Sequence, residues 1–359
     1  MKKQMRVLLA IGLAAAMMAG CSGTEKAPAE TEKQTEKTQE QEQTNSTKET
    51  TAADKKPDKV YTVKISTQNS ETTPMVQSMH QLADSLEEKS GGRLNVEVYP
   101  SGVLGSDEDL IEQAMQGVNV VVLTDASRMS NYVPDMAVFG MSYFIDNYDE
   151  ALAVTKTDIY AEWTRALSEE NGIHLFSFNW FAGPRYSFIN KEAKVPADFK
   201  GIRMRTGGGS AYFEGVTGLG ATPVNMPLNE TYSALSSKAI DGCEGTAIAA
   251  VSNRYFEVCS HCVLTEHFQL INGLMCGEEW FKTLPEDLQE LISSEIEAYG
   301  IVESKMAQEE TQKALEELKN QGMTLVEIDK TPFIEASNAG YEKLGLSELR
   351  KEIYTQIGK

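Results

Sequence analysis

Two arginines stand two residues apart in residues 200–209, which read K-G-I-R-M-R-T-G-G-G. Arg203 and Arg205 belong to a short apolar run that opens into three glycines. A guanidinium group is planar and permanently charged, and it binds a carboxylate through two parallel N–H donors. The stretch allows three hypotheses: a phosphate-binding loop, a surface strand with two solvated charges, or a strand that points one guanidinium group into a cavity.

The glycine run itself argues against a phosphate-binding loop. Residues 207–209 lack the lysine of a G-x-x-x-x-G-K-[ST] loop and the spacing of a G-x-G-x-x-G loop. We interpret the run as a turn that leads into a helix. The first backbone amides of that helix could still face an anion, because a helix N-terminus attracts negative charge.

The cysteines and histidines form no recognisable catalytic motif. Residues 259–262 read C-S-H-C, with His267 nearby, but no second C-x-x-C pair exists. Disulfides or buried free thiols are therefore better interpretations than a metal site, and the sequence leaves the choice between them open. No G-x-S-x-G or H-E-x-x-H motif occurs either. We expect a protein that is not an enzyme and that needs neither a metal nor another cofactor.

The elements that would position the arginines follow an α/β pattern. Apolar and polar residues alternate in residues 60–67 and 94–99, which predicts two strands. Residues 74–89 predict a helix between them, and Ser106 begins another helix as its N-cap. Residues 118–123 are almost entirely apolar, which is typical of a buried strand. Strand–helix–strand–helix–strand predicts a doubly wound sheet.

The second half repeats this pattern and suggests two lobes. We predict strands at residues 173–178 and 202–206, and helices at residues 210–218, 229–238 and 285–320, the last with a possible break at Gly300. Lobe I would comprise about residues 60–180 and part of the C-terminal half, and lobe II about residues 181–275. Strands that cross between two lobes would leave a cleft, where ligands commonly bind.

The N-terminus carries an export signal. A basic start precedes the apolar residues 7–19, which are too few to span a bilayer, so residues 1–20 are predicted to be a signal peptide. Residues 18–21 read M-A-G-C and resemble a bacterial lipobox, which predicts that Cys21 becomes a lipidated N-terminus. Residues 22–59 contain no Val, Ile, Leu, Met or aromatic residue, so residues 21–59 are predicted to be a disordered tether.

The overall charge excludes some classes of partner. The formal net charge is −20, which argues against binding to nucleic acid or to an anionic membrane surface. The membrane would be reached only through the lipid on Cys21. We expect a monomer outside the cytoplasm, held at the cell surface or in the periplasm.

Four blocks of sequence resemble the solute-binding proteins of TRAP transporters, the DctP-like family. They are residues 91–110 (G-G-R-L-N-V-E-V-Y-P-S-G-V-L-G-S-D-E-D-L), 198–205 (D-F-K-G-I-R-M-R), 238–244 (K-A-I-D-G-C-E) and 284–289 (L-P-E-D-L-Q). The resemblance implies a two-lobed, periplasmic-binding-protein-like clamshell that closes on a small organic acid. It also implies delivery of that acid to a small and a large membrane subunit.

The resemblance also implies which residues bind the ligand. The family's carboxylate-binding arginine corresponds to Arg205, which leaves Arg203 to be solvated, although the strand pleat alone does not choose between them. Further ligand contacts are implied at Gln68, Asp125, Trp180, Arg185, Leu228, Glu244, Gly245 and Thr246. For these additional positions, packing or internal pairing is an equally good interpretation.

Two departures from the family pattern bear on the ligand. Gly245 stands where relatives often carry Asn, and Gly207–Gly209 replace a segment that often holds Pro and Asn. We expect these glycines to remove polar contacts and to leave space beside the carboxylate. A receptor of the ABC type, or one coupled to a sensor kinase, remains an alternative to a TRAP receptor, and an extracytoplasmic enzyme is the least favoured interpretation.

Overall fold

The computed structural model describes residues 59–359, in which nine strands form one mixed sheet. The predicted signal peptide, Cys21 and nearly all of the predicted tether lie outside these residues. The strands are β1 (Tyr61–Ser66), β2 (Leu94–Tyr99), β3 (Val120–Asp125), β4 (Ile173–Ile189), β5 (Arg203–Thr206), β6 (Thr222–Asn225), β7 (Gly242–Thr246), β8 (His261–Gly277) and β9 (Thr324–Val326). Their order is β2-β1-β3-β8-β4-β7-β5-β6, and β9 pairs with β8.

Twelve α-helices and four short 3-10 helices pack around this sheet in residues 59–359. The α-helices are α1 (Pro74–Lys89), α2 (Asp107–Met115), α3 (Ala126–Met129), α4 (Tyr148–Val154), α5 (Asp158–Asn171), α6 (Ser210–Gly218), α7 (Thr231–Ser236), α8 (Ala247–Ser252), α9 (Glu278–Phe281), α10 (Glu286–Asn320), α11 (Thr331–Lys343) and α12 (Ser347–Ile357). The predicted helix at residues 229–238 is instead a 3-10 turn, Leu228–Glu230, followed by α7.

Two 17-residue strands, β4 and β8, run antiparallel through the middle of the sheet. One half of the sheet adds the parallel strands β1, β2 and β3, and the other adds the parallel strands β5, β6 and β7. The sequence predicted only residues 173–178 of β4 and no part of β8. Register shifts interrupt the pairing at several points between Leu175 and Ser187, and such bulges erase the simple alternation that marks a strand.

The buried apolar residues form four clusters on the two halves of the sheet. Two clusters surround the β1–β3 half, and Met79 and Val122 are among their fully buried members. The other two surround the β5–β7 half and include Phe188 and Phe199. Burial of such apolar surface is the main stabilising contribution to folding, so each half has a core of its own.

The long helix α10 packs across β4 and joins the two halves. It begins after Pro285 and continues through Gly300 without a break. Gly300 is required for close packing, because a Cβ there would stand 2.3 Å from Asn179 Oδ1. Asn179 also donates to the Glu297 carbonyl, and Ser304 Oγ accepts from Phe181 N at 2.7 Å. The fold is thus the predicted α/β periplasmic-binding-protein fold, with a mixed sheet and a long helix.

α10 is long enough to cross a bilayer but too rich in charged residues to do so. Within residues 59–359, no helix combines the length and the apolarity that a membrane span requires.

Candidate ligand-binding site

A cavity of about 80 Å³ lies where the carboxyl ends of β1, β3, β5 and β7 meet. Ligands of open α/β sheets commonly bind at this edge, because the loops there converge. Most of the residues implied by the family resemblance line this cavity: Gln68, Asp125, Arg185, Arg205, Leu228, Gly245 and Thr246. β-Strand geometry therefore brings together side chains that lie up to 178 residues apart in the chain.

Arg205 presents a buried guanidinium group to the cavity. Only 3% of the residue is exposed, and its Nε donates to the Met226 carbonyl at 2.9 Å. No carboxylate within residues 59–359 forms an ion pair with it. Burial lowers the pKa of Arg205 from its usual value, because a cation without a partner is poorly solvated there. An anion in the cavity would supply that partner.

Arg203 lies on the outside of the same strand. Its side chain is 47% exposed, and Nε and Nη2 donate to the two Asp241 oxygens at 2.8 and 2.9 Å. These hydrogen bonds lower the pKa of Asp241 to about 2. The partial exposure of Arg203 agrees with the solvated position that the family register implied, whereas its pairing with Asp241 was not predicted.

Arg185 lines the cavity but is bound to Glu244. The two residues lie on the adjacent strands β4 and β7, and two guanidinium nitrogens contact the two carboxylate oxygens. Thr206 Oγ1 also donates to Glu244 at 2.7 Å, and His267 Nε2 lies 3.7 Å away. Arg185 therefore holds the pKa of Glu244 well below its usual range, despite complete burial of the pair.

The cavity does not include two residues that the resemblance implied as ligand contacts. Trp180 is fully buried in the hydrophobic cluster of the β1–β3 half, where it packs with residues of α1 and α10. Glu244 lies behind Arg185 and is 1% exposed. The structure therefore places Trp180 and Glu244 outside the cavity lining: Trp180 fills a core, and Glu244 neutralises a neighbouring arginine.

A third guanidinium group in the cavity, that of Arg128, was missed by the sequence reasoning. Arg128 follows β3 and contacts three carboxylates: Asp125, Asp107 (3.2 Å) and Glu108 (3.0 Å). Burial raises the pKa of Asp107 to about 6, because Arg128 is shared among the three acids and cannot offset the lost hydration of each. The available signal was the i, i+3 spacing of Asp125 and Arg128 directly after a buried strand.

Polar atoms without a protein partner also face this region. Gln68 donates from Nε2 to the Gly105 carbonyl at 2.7 Å, while Oε1 has no hydrogen-bond partner among the described residues. The same is true of Asp107 Oδ1. Buried acceptors without partners are costly, so both oxygens are suited to donors on a ligand. Tyr212 and Asn272 also line the cavity, and neither was identified from the sequence.

The glycine run is closely packed rather than open. A Cβ at Gly208 would stand 2.8 Å from Glu108 Oε1, and one at Gly209, where φ is +116°, would stand 2.3 Å from the Ser127 carbonyl oxygen. These glycines let the turn approach Ser127, so the expectation that they leave space is wrong for them. Gly245 differs, because a Cβ there would meet only Phe188, at 3.9 Å.

The four cysteines of the described residues are free and buried. Burial raises the pKa of each, so all four remain neutral thiols and are poor metal ligands or nucleophiles. No group of three or more metal-binding side chains occurs within residues 59–359. The two cysteines of the C-S-H-C segment, Cys259 and Cys262, belong to the hydrophobic core of the β5–β7 half.

An α/β fold with a buried cationic cavity at the carboxyl ends of its strands defines a solute-binding protein of the periplasmic type. The family model for bacterial extracellular solute-binding protein, family 7 (DctP), matches residues 65–347. The chain belongs to this family, which supplies the solute-binding proteins of TRAP transporters and is not enzymatic. This membership excludes the ABC-type alternative and places the protein outside the cytoplasm.

Individual relatives agree with this assignment. The sialic acid-binding periplasmic protein SiaP of Vibrio cholerae is 23% identical over 286 residues, which cover 79% of this chain and 88% of SiaP. A TRAP periplasmic solute-binding protein from Ochrobacterium anthropi with bound L-fuconate is 28% identical, with a TM-score of 0.80 over 82% of this chain and 99% of the relative. One from Actinobacillus succinogenes with bound L-galactonate is 25% identical, with a TM-score of 0.80 over 83% and 99%.

Proposed function

We propose that this receptor binds a small organic acid whose carboxylate pairs with Arg205. The observation that carries the proposal is the contrast among the cavity's arginines. Arg128 and Arg185 are neutralised by protein carboxylates, whereas Arg205 donates only to a backbone carbonyl. A bidentate ligand carboxylate would provide the missing negative charge, and each charge-assisted hydrogen bond contributes about 1.5–3 kcal/mol.

The favoured ligands are sugar acids, which combine a carboxylate with several hydroxyl groups. Two structural relatives hold L-fuconate and L-galactonate. The unpartnered acceptors Gln68 Oε1 and Asp107 Oδ1 suit ligand hydroxyl donors. Leu228 supplies an apolar contact, Gly245 leaves room, and Thr246 and Asp125 add polar atoms to the wall.

Binding would be coupled to closure of two lobes. We assign lobe I to about residues 60–180 with part of the C-terminal half, and lobe II to about residues 181–275. The separate hydrophobic clusters of the two halves support this division. Contacts between the halves at the rim, including Asn229 Nδ2 to the Ser101 carbonyl (3.4 Å) and Tyr212 N to Ser127 Oγ (3.3 Å), suit a closed form that a ligand would favour.

The closed receptor would deliver its ligand to a small and a large TRAP membrane subunit. We propose that a lipid on Cys21 anchors the chain, with residues 21–59 as the tether. Anchoring would raise the local concentration of the receptor at the transporter. A Cys21→Ser variant should then be released from the membrane fraction. Its retention there would contradict lipidation at this residue.

A thermal-shift screen tests the ligand class. The purified protein is heated with sugar acids, other small organic acids and neutral sugars of matched size. A ligand at one hundred times its Kd should stabilise the folded state by about 2.7 kcal/mol. Stabilisation by acids, with none from the matched neutral sugars, is expected. Stabilisation by neutral sugars or cations alone would contradict the proposal.

A further inference from the structure

The long helix α10 places one acidic side chain, Glu303, in the interior near the ligand cavity. The residue is 1% exposed, and Oε2 has no hydrogen-bond partner among the described residues. Burial raises the pKa of Glu303 well above its usual range, which favours the neutral carboxylic acid over the carboxylate. Such a group offers one donor and one acceptor.

Glu303 faces a small second cavity of about 20 Å³. Pro74, Met75 and Ile248 form its apolar part. Asn69, Ala182, Thr246 and Ala249 line both this cavity and the main one. The two cavities therefore adjoin: Arg205 lines the main cavity, Glu303 lines the small one, and two of the four shared lining residues are alanines.

A buried carboxylic acid without a hydrogen-bond partner opposes folding. Burial of such a polar group removes its hydrogen bonds to water and replaces them with nothing. A ligand that brings a hydroxyl group to Glu303 would satisfy both its donor and its acceptor. A ligand that ends in a methyl group would leave the acid unpartnered.

We infer that Glu303 determines ligand specificity by hydrogen-bonding a hydroxyl group at the end of the ligand opposite its carboxylate. This inference rests on the proposed function, because it requires the carboxylate to be on Arg205. The small cavity then forms a polar branch of the site, and it selects acids with a terminal hydroxyl over otherwise equal acids without one. Sites that hydrogen-bond a hydroxyl group discriminate well against analogues that lack it.

L-Galactonate and L-fuconate provide a matched pair of probes, because L-fuconate carries a methyl group where L-galactonate carries its terminal CH₂OH. Isothermal titration calorimetry should give wild-type protein a preference of about five- to tenfold for L-galactonate, the effect of one hydrogen bond. Glu303→Met keeps the length of the side chain and should abolish the preference. Glu303→Gln keeps a donor and an acceptor and should retain it. Glu316→Met, an exposed change on the same helix, is the control.

The stability of the ligand-free variants separates recognition from a structural role. Glu303→Met should raise Tm while it removes the preference, because an unpartnered acid is replaced by an apolar side chain. Equal affinities of wild-type protein for the two acids, or a preference unchanged in Glu303→Met, would overturn the inference alone. Loss of the preference in Glu303→Gln would show that charge is recognised and would also overturn it. Failure of wild-type protein to bind either acid would overturn the sugar-acid proposal with it.

Discussion

Arg203 and Arg205 lie two residues apart on one strand and differ in almost every physical respect. Arg203 is half-exposed and holds Asp241 in a bidentate pair, while Arg205 is buried and donates only to the Met226 carbonyl. An exposed ion pair contributes little to stability, whereas a buried cation without a partner is a strong site for an anion. Functional potential in this strand therefore follows from what surrounds each guanidinium group.

The largest expected effect separates these two arginines directly. Arg205→Ala should weaken the affinity for the best acid by about a thousandfold, since it removes two charge-assisted hydrogen bonds in a buried site. Arg205→Lys should remain severely impaired, because an ammonium group lacks the planar fork. Calorimetric titration measures both. Arg203→Ala is the matched control and should bind normally; equal losses in the two alanine variants would contradict the distinction.

Neutralising the acidic partner should cost more stability in the buried Arg185–Glu244 pair than in the exposed Arg203–Asp241 pair. Glu244→Gln weakens the buried pair with Arg185 and should reduce the free energy of unfolding by about 3–5 kcal/mol, because it leaves a buried charge uncompensated. Asp241→Asn removes the exposed partner of Arg203 and should cost less than about 1 kcal/mol. Chemical denaturation of both variants tests this. A larger loss of unfolding free energy in Asp241→Asn than in Glu244→Gln would contradict this prediction.

Two aspartates, Asp107 in the cavity and Asp241 on Arg203, should respond to pH in opposite ways. The pKa of Asp107 in the cavity is raised to about 6, above its unfolded value of about 4, so the folded state binds more protons between these pH values. Its contribution to stability is thus lost as pH rises from 4 to 6, by on the order of 2–3 kcal/mol. Asp241, with a pKa of about 2, contributes stability that is lost as pH falls from 4 to 2.

The free energy of unfolding, measured from pH 2 to pH 7 for wild type and Asp107→Asn, isolates the contribution of Asp107. The variant should gain stability relative to wild type as pH rises through 4 to 6. A difference between the two proteins that stays constant across this window would contradict the raised pKa of Asp107.

The smallest expected effects compare two glycines near Arg205. Gly209→Ala should destabilise the fold by about 1–3 kcal/mol, because φ is +116° and its Cβ would meet the Ser127 carbonyl. Gly245→Ala has room beside Phe188 and should leave stability nearly unchanged, while its methyl group narrows the cavity. Thermal unfolding of the two variants measures the effect on stability, and their ligand affinity measures the effect of a narrower cavity. Equal destabilisation would contradict the assignment.

Local signals predicted much of the fold. Helix α1 has the predicted bounds, since Thr73 caps it and Pro74 begins it, and Ser106 caps α2 as expected. Strand β2 and helix α6 also match their predicted residues. The long strands β4 and β8 did not follow from the sequence, because bulges break their alternation and because their pairing is between distant segments.

Residues of the candidate site could be predicted only at the ends of predicted strands or from the family register. Gln68 and Asp125 follow from the ends of two strands, and Arg205 from the family register. The burial of Trp180 in the core did not follow from the sequence, because an aromatic residue beside a bulge can face either the core or the cavity. The pairing of Arg185 with Glu244 depends on the contact between β4 and β7, which no local pattern encodes.

A crystal structure of the protein with a bound sugar acid is the most direct test of the central claim. Both carboxylate oxygens of the ligand should lie within hydrogen-bonding distance of the Arg205 guanidinium group, with Arg185 still paired with Glu244 and Arg203 still paired with Asp241. A ligand carboxylate bound to Arg128 or Arg185, with Arg205 bonded only to the Met226 carbonyl, would contradict it.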